Sequence, residues 1–238
     1  MEILDQALLV VKNVDKKYPS GFQLKNISFS LSPGQCIGFL GPNGAGKSTL
    51  FQMLTGNLDA SKGEIFLKNK KLNPEAFLVK RQVGYLPQHL NLPQWVTGTE
   101  ILNYAASLYQ LKDGSEKIKE QMEYWDCKSY AHQAIAACSH GMQKRIGLAL
   151  ATIHEPVLLI LDEPFSGLDL YHIRALKNEI NRRKEKGLAT ILSSHIAPYV
   201  ANLCQNIFLF KNGQISQISA WKDKSYLDKI DAIERSFS

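Results

Sequence analysis

The chain has 238 residues, 45% of them apolar, and a net charge of +6. That length fits one large domain or a core carrying a subdomain, and the apolar share is ample for a buried interior. The mild positive charge suits anionic partners such as nucleotides or lipid headgroups, and the lack of a dense basic cluster with interleaved aromatics argues against nucleic acid.

Residues 8–14 and 27–31 read as strands, and the turn between them carries Tyr18. That side chain is either a surface tyrosine on a hairpin or an aromatic that stacks on a purine ring. The apolar run 36–40 leads into Gly41-Pro42-Asn43-Gly44-Ala45-Gly46-Lys47-Ser48-Thr49 and then an apolar helix start. This is a complete G-x-x-x-x-G-K-[ST] pattern in strand, loop, helix order. Its glycines let successive N–H groups converge on a phosphate, and the helix start adds unpaired donors and the positive end of its dipole. Lys47 can reach the β- and γ-phosphates, and Ser48 can offer a hydroxyl to Mg²⁺.

Residues 63–67 and 83–87 read as further strands, the second ending at Gln88. The following stretch, 89–96, is a loop by its prolines and asparagine, yet it holds two leucines and Trp95. It is a lid over core or a docking patch. From about 99 to 153 the chain reads as helical, with helices starting at 99, over 115–124, over 128–137 and over 142–153. Residues 157–161 form a continuous β-prone run that Asp162-Glu163-Pro164 ends, as expected of a strand buried on both faces of a parallel sheet. A helix over 170–186 closes at Gly187, and its basic end, Arg182-Arg183-Lys184-Glu185-Lys186, is expected to be solvated. A strand over 188–192 ends at Ser193-Ser194-His195, a hairpin spans 206–218, and a short helix is expected in the tail. Cys36, Cys127, Cys138 and Cys204 are far apart with no C-x-x-C pair, which points to reduced thiols. The N-terminus lacks a signal-peptide layout, and no run of about 18 apolar residues spans a membrane.

Four apolar strands thus end in polar chemistry: the glycine loop, Gln88, Asp162-Glu163 and His195. In an open parallel sheet, ligands bind outside the carboxyl ends of the strands, so these groups are expected around one site. Asp162 can supply a metal oxygen ligand, Glu163 can orient or deprotonate water, His195 can donate to a γ-phosphate, and Gln88 can touch both metal and water.

These residues together resemble the ATP-binding cassette family, specifically the nucleotide-binding subunits of ABC transporters, over about residues 8–215. The glycine loop resembles the family's Walker A, Gln88 its Q-loop, residues 161–164 Walker B with the catalytic Glu163, residues 166–169 the D-loop and His195 the switch histidine. Tyr18 resembles the adenine-stacking aromatic. The signature, usually L-S-G-G-Q, falls at Cys138-Ser139-His140-Gly141-Met142, where only Ser139 and Gly141 match; His140 is expected to face solvent.

The resemblance implies an α/β fold: a P-loop NTPase (RecA-like) core, 1–88 and 155–219, with an N-terminal antiparallel β subdomain, an inserted helical subdomain over 89–154 and a tail over 220–238. It implies ATP and Mg²⁺, with Ser48, Gln88 and Asp162 at the metal. It also implies two subunits in which Ser139 and Gly141 complete the partner's ATP site. A separate integral membrane permease would hold the subunit on the inner face of the membrane, and the signature variant is similar to subunits of exporters. A soluble ABC protein of translation or DNA repair is the alternative, though such chains usually carry two cassettes. A P-loop GTPase would want N-K-x-D, and Asn69-Lys70-Lys71-Leu72 lacks the aspartate.

Overall fold

A computed structural model describes residues 7–218 together with Asp228 and Ile230; the helix expected in the tail otherwise lies outside the described residues. Cys36–Leu40 forms β3, buried at every position, at the centre of a six-stranded sheet. The other strands of the sheet are β6 (Val83–Leu86), β7 (Leu158–Leu161), β8 (Ala189–Ser193), β9 (Asn206–Lys211) and the mostly exposed β10 (Gln214–Gln217). Their spatial order is β10-β9-β3-β8-β7-β6, and β10 alone runs antiparallel to its neighbour.

The register aligns the strand ends. Phe39 pairs with Ser193, Leu161 with Leu192, and Leu86 with Leu161. The chemistry that follows each strand therefore emerges along one edge.

Both faces of the middle of this sheet are covered, which is why β3, β7 and β8 are buried at every position rather than alternating. Side chains still alternate between two cores. Ile37, Phe39, Leu158, Ile160 and Ile191 face one core, which includes helix α1 (Lys47–Leu54) and a four-stranded sheet ordered β2-β1-β4-β5. Its strands are β1 (Leu9–Lys17), β2 (Gln23–Leu31), β4 (Lys62–Leu67) and β5 (Lys70–Lys71), all antiparallel. Cys36, Leu40, Leu159, Leu161 and Leu192 face the other core. There they meet the helices that follow the short α2 (Phe77–Lys80): α3 (Gly98–Leu108), α4 (Gly114–Tyr124), α5 (His140–Thr152), α6 (Leu170–Glu185) and α7 (Ala197–Leu203).

Two expectations are corrected. Residues 128–137 are turns ending in a short 3₁₀ segment, Ile135–Ala137, not a helix. Their backbone groups are taken by the preceding loop: Thr97 bridges Ala134, Ile135 N–H donates to Val96 O (2.8 Å) and Thr99 N–H to Ala131 O (2.8 Å). Tertiary pairing has displaced local helix bonds. The basic end of α6 is not wholly solvated either. Arg183 is fully buried, donating to the carbonyls of Pro156 and Ala189 (2.9 Å each), and burial pushes its guanidinium down to about 10.

The loop 89–96 divides between its two readings. Leu90, Leu92 and Val96 pack on the core, whereas Trp95 is 82% exposed. Helix α3 after it starts with a capping box, in which Thr97 and Glu100 exchange side-chain and backbone bonds.

Candidate functional site

The glycine loop bends around a hollow of about 290 Å³ lined by Asn43, Gly44, Gly46–Thr49, Phe22, Gln88 and Asp162. Gly46 caps α1 at φ +118, and any side chain there would run into Leu24 and Phe22. Lys47 is 7% exposed, and its ammonium donates to the carbonyls of Gly41 (2.6 Å) and Pro42 (3.1 Å). Burial lowers its pKa from the ordinary value, and the negative charges of Glu163 and Asp162 oppose that. A buried ammonium beside converging backbone N–H groups suits a polyanion.

Asp162 and Glu163, after β7, are both buried. Asp162 accepts from Ser48 Oγ through Oδ2 (2.8 Å) and from Ser193 Oγ through Oδ1 (2.6 Å). The serine hydroxyl in turn accepts from Glu163 N–H (2.9 Å). Glu163 adopts a left-handed backbone, φ +48, and its Oε2 accepts from His195 Nδ1 at 2.9 Å. The strand ends of β3, β7 and β8 are thereby tied into one network. A serine at a strand end has no motif of its own, so nothing local marks Ser193. Its role appears only when β7 and β8 are neighbours.

Gln88, after β6, lines the same hollow as Asp162. Tyr18 does not line it. Phe22 does, and the two rings lie 6.2 Å apart, centre to centre. Nothing but its aromatic type could have singled out Phe22. Ser139 and Gly141 are also outside this hollow. Ser139 caps α5, its Oγ accepting from Met142 N–H (3.3 Å), and it is exposed, as is His140. Gly141 lies so close to the loop after Glu163 that an added side-chain carbon would sit 2.7 Å from Gly167 O.

Asp169 caps α6 and also accepts from His172 Nδ1 (2.7 Å). Arg145 can only donate, so His172 Nε2, 2.9 Å from Arg145 Nη1, is the acceptor and Nδ1 carries the proton. Arg145 also binds Asp126 (2.9 Å), so α5 is fastened to α6 and to the turn after α4.

The donors suit the ligands implied. Ser48 Oγ, the Asp162 carboxylate and Gln88 form an all-oxygen set of the kind hard divalent cations take. A glycine loop on a helix N-terminus, with an acidic strand end opposite, defines a P-loop nucleotide-binding protein. The ABC transporter profile matches residues 24–166. The chain belongs to the ABC transporter family, as an ATP-binding subunit and ATPase. It is 38% identical to the uncharacterized ABC transporter ATP-binding protein YxlF of Bacillus subtilis, over 90% of this chain and 70% of that one. It is 33% identical to the linearmycin resistance ATP-binding protein LnrL of the same organism, over 91% and 70%. A solved structure of an ATP-binding subunit of an ABC transporter superposes with a TM-score of 0.86 at 27% identity, covering 96% and 99%.

Proposed function

We propose that this ATPase drives export through a separate integral membrane permease, as one of two subunits that enclose two ATP molecules. The observation that carries the hydrolytic part is the convergence of Lys47, Ser48, Asp162 and Gln88 on one hollow, with Glu163 tied to Asp162 through Ser193.

In this reading ATP supplies the reacting phosphoryl group and Mg²⁺ neutralises its developing charge. The loop residues Gly41, Asn43, Gly44, Ala45, Gly46 and Thr49 bind phosphate, and Lys47 exchanges loop carbonyls for phosphate oxygens. Ser48, Asp162 and Gln88 hold the metal. Glu163 takes the proton from the attacking water, its carboxylate held by His195. Tyr18 or its neighbour Phe22 stacks on adenine. Ser139 and Gly141, at the start of an α-helix and outside the chain's own hollow, bind the partner's γ-phosphate.

Export is supported by the signature variant and by the resistance named for LnrL. Transport, rather than translation or DNA repair, fits relatives that are named as transporter subunits. In this reading the permease docks on an open groove of about 420 Å³ between α2 and α3, beside Phe77 (56% exposed) and Tyr104 (70% exposed). Exposed rings of this size around a groove suit an apolar helix end. The subunit then sits on the inner face of the membrane through that partner. Among the described residues no helix is long and apolar enough to cross a membrane.

The test is the mass of Glu163→Gln by size exclusion with light scattering. A dimer that needs both ATP and Mg²⁺ supports the reading. A monomer that still binds ATP overturns self-pairing and calls for a different cassette or the permease.

A further inference from the structure

Lys144 is the one charged residue of the signature helix with its side chain sealed in the interior. It lies on α5, is 1% exposed, and its ammonium donates to the backbone carbonyl of Glu163 at 2.7 Å. A lysine there is costly, because burial disfavours its charge. The neighbouring Asp162 and Glu163 favour that charge, so burial and the acidic pair act in opposite directions on it.

What it touches is a strained point. Glu163 holds φ +48, a conformation that non-glycine residues keep only when surrounding contacts impose it. Three elements impose it here. Ser193, at the end of β8, takes its N–H; His195, beyond β8, takes its carboxylate; Lys144, from α5, takes its carbonyl. Only the last comes from a helix.

Ser139 caps helix α5, about 7.5 Å of helix rise before Lys144. Its first turn packs on the loop that follows Glu163, since Gly141 abuts Gly167 O. The helix is fastened sideways by Arg145 to Asp126 and His172. A displacement of the Ser139 end is therefore delivered to Glu163 through one rigid helix and one hydrogen bond.

We propose that Lys144 is a positioning residue that sets the Glu163 backbone, so that engagement of Ser139 at one nucleotide site aims the Glu163 carboxylate of the same chain at the other. This rests on the reading of Glu163 as general base and of Ser139 as acting in trans. The two ATP sites are then linked through the interior of each subunit as well as across their interface.

The test compares Lys144→Met, Lys144→Gln and Glu163→Gln in the full chain. Methionine keeps the reach of lysine and removes the donor; glutamine keeps a neutral donor. Lys144→Met is expected to lower kcat about 10- to 100-fold, the cost of a reacting group misplaced by about 1 Å. Its affinity for a fluorescent ATP analogue stays within about threefold, and amide exchange speeds up at Glu163 and at residues 165–167. Lys144→Gln is expected to recover most of the rate and the slow exchange. If methionine does not fold, Lys144→Ala takes its place.

A Lys144→Met protein with wild-type kcat and exchange overturns the proposal. So does one that loses nucleotide affinity in step with kcat, which marks a purely structural contact. If Glu163→Gln itself keeps full turnover, the failure lies with the general-base reading; if only Lys144→Met does, it lies with Lys144.

Discussion

Ser193→Ala removes one oxygen that does two jobs. The hydroxyl donates to Asp162 Oδ1 at 2.6 Å and accepts from Glu163 N–H at 2.9 Å, and Ser193 is fully buried. The first is a charge-assisted bond, worth about 1.5–3 kcal/mol, and the second leaves a buried N–H without a partner, at about 1–3 kcal/mol. Overlap between the two effects keeps the expected loss near 2–4 kcal/mol. For a chain of this size that is a fall in Tm of roughly 5–15 °C. Asp162 keeps its bond from Ser48, so the carboxylate is loosened rather than released. Affinity for Mg²⁺, read as the metal dependence of nucleotide binding, is expected to drop about 10- to 100-fold, the usual cost of losing a group that orients a metal ligand. Urea denaturation and a Mg²⁺ titration measure the two effects. Ser194→Ala is the control: among the described residues that hydroxyl accepts only from Ile196 N–H (3.0 Å), so its loss costs stability without changing the metal dependence. A Ser193→Ala protein with stability within about 0.5 kcal/mol of wild type and unchanged Mg²⁺ dependence refutes the reasoning.

Tyr18→Ala and Phe22→Ala separate the two aromatics: whichever stacks on adenine should cost about 1–3 kcal/mol of nucleotide affinity by equilibrium fluorescence, and a loss with neither places the base elsewhere. Ser139→Arg should abolish most hydrolysis while leaving ATP binding to the monomer intact; weaker monomer binding would sink the trans-site reading. His154 stacks on Tyr109 at 3.8 Å, and burial pushes its pKa down to about 4 from the ordinary 6.5, with a smaller opposing effect from the Val83 backbone. The folded chain refuses a proton that the unfolded chain takes, so this contribution is intact above about 6.5 and is lost as pH falls toward 4. The loss reaches about 3 kcal/mol. His154→Gln should flatten that part of the pH–stability curve, measured by urea denaturation at each pH, and parallel curves for the two proteins would remove His154 as its source.

Where a function depends on backbone shape, the sequence was legible. The glycine loop needs its glycines in order, because Gly46 at φ +118 and the close approach of Leu24 leave room for nothing else. The strands Cys36–Leu40 and Leu158–Leu161 are apolar throughout because both faces are covered, and that pattern requires no partner to be seen. The polar groups beyond these strands and beyond Ala189–Ser193, which are the glycine loop, Asp162, Glu163 and His195, follow from the same logic: a parallel sheet gathers its carboxyl ends on one side.

What tertiary structure alone decided are contacts between residues with no local pattern. Ser193 matters because β8 lies beside β7, and Lys144 because α5 crosses the loop after β7. Phe22, not Tyr18, faces the glycine loop because of the fold of the hairpin. Residues 128–137 have helical composition but spend their hydrogen bonds on the loop before α3, and Arg183 is drawn inside because the carbonyls of Pro156 and Ala189 stand where its guanidinium can reach them. Local sequence sets backbone preference and strand ends; which side chains meet across elements is set by packing, and a short-range pattern carries no record of it.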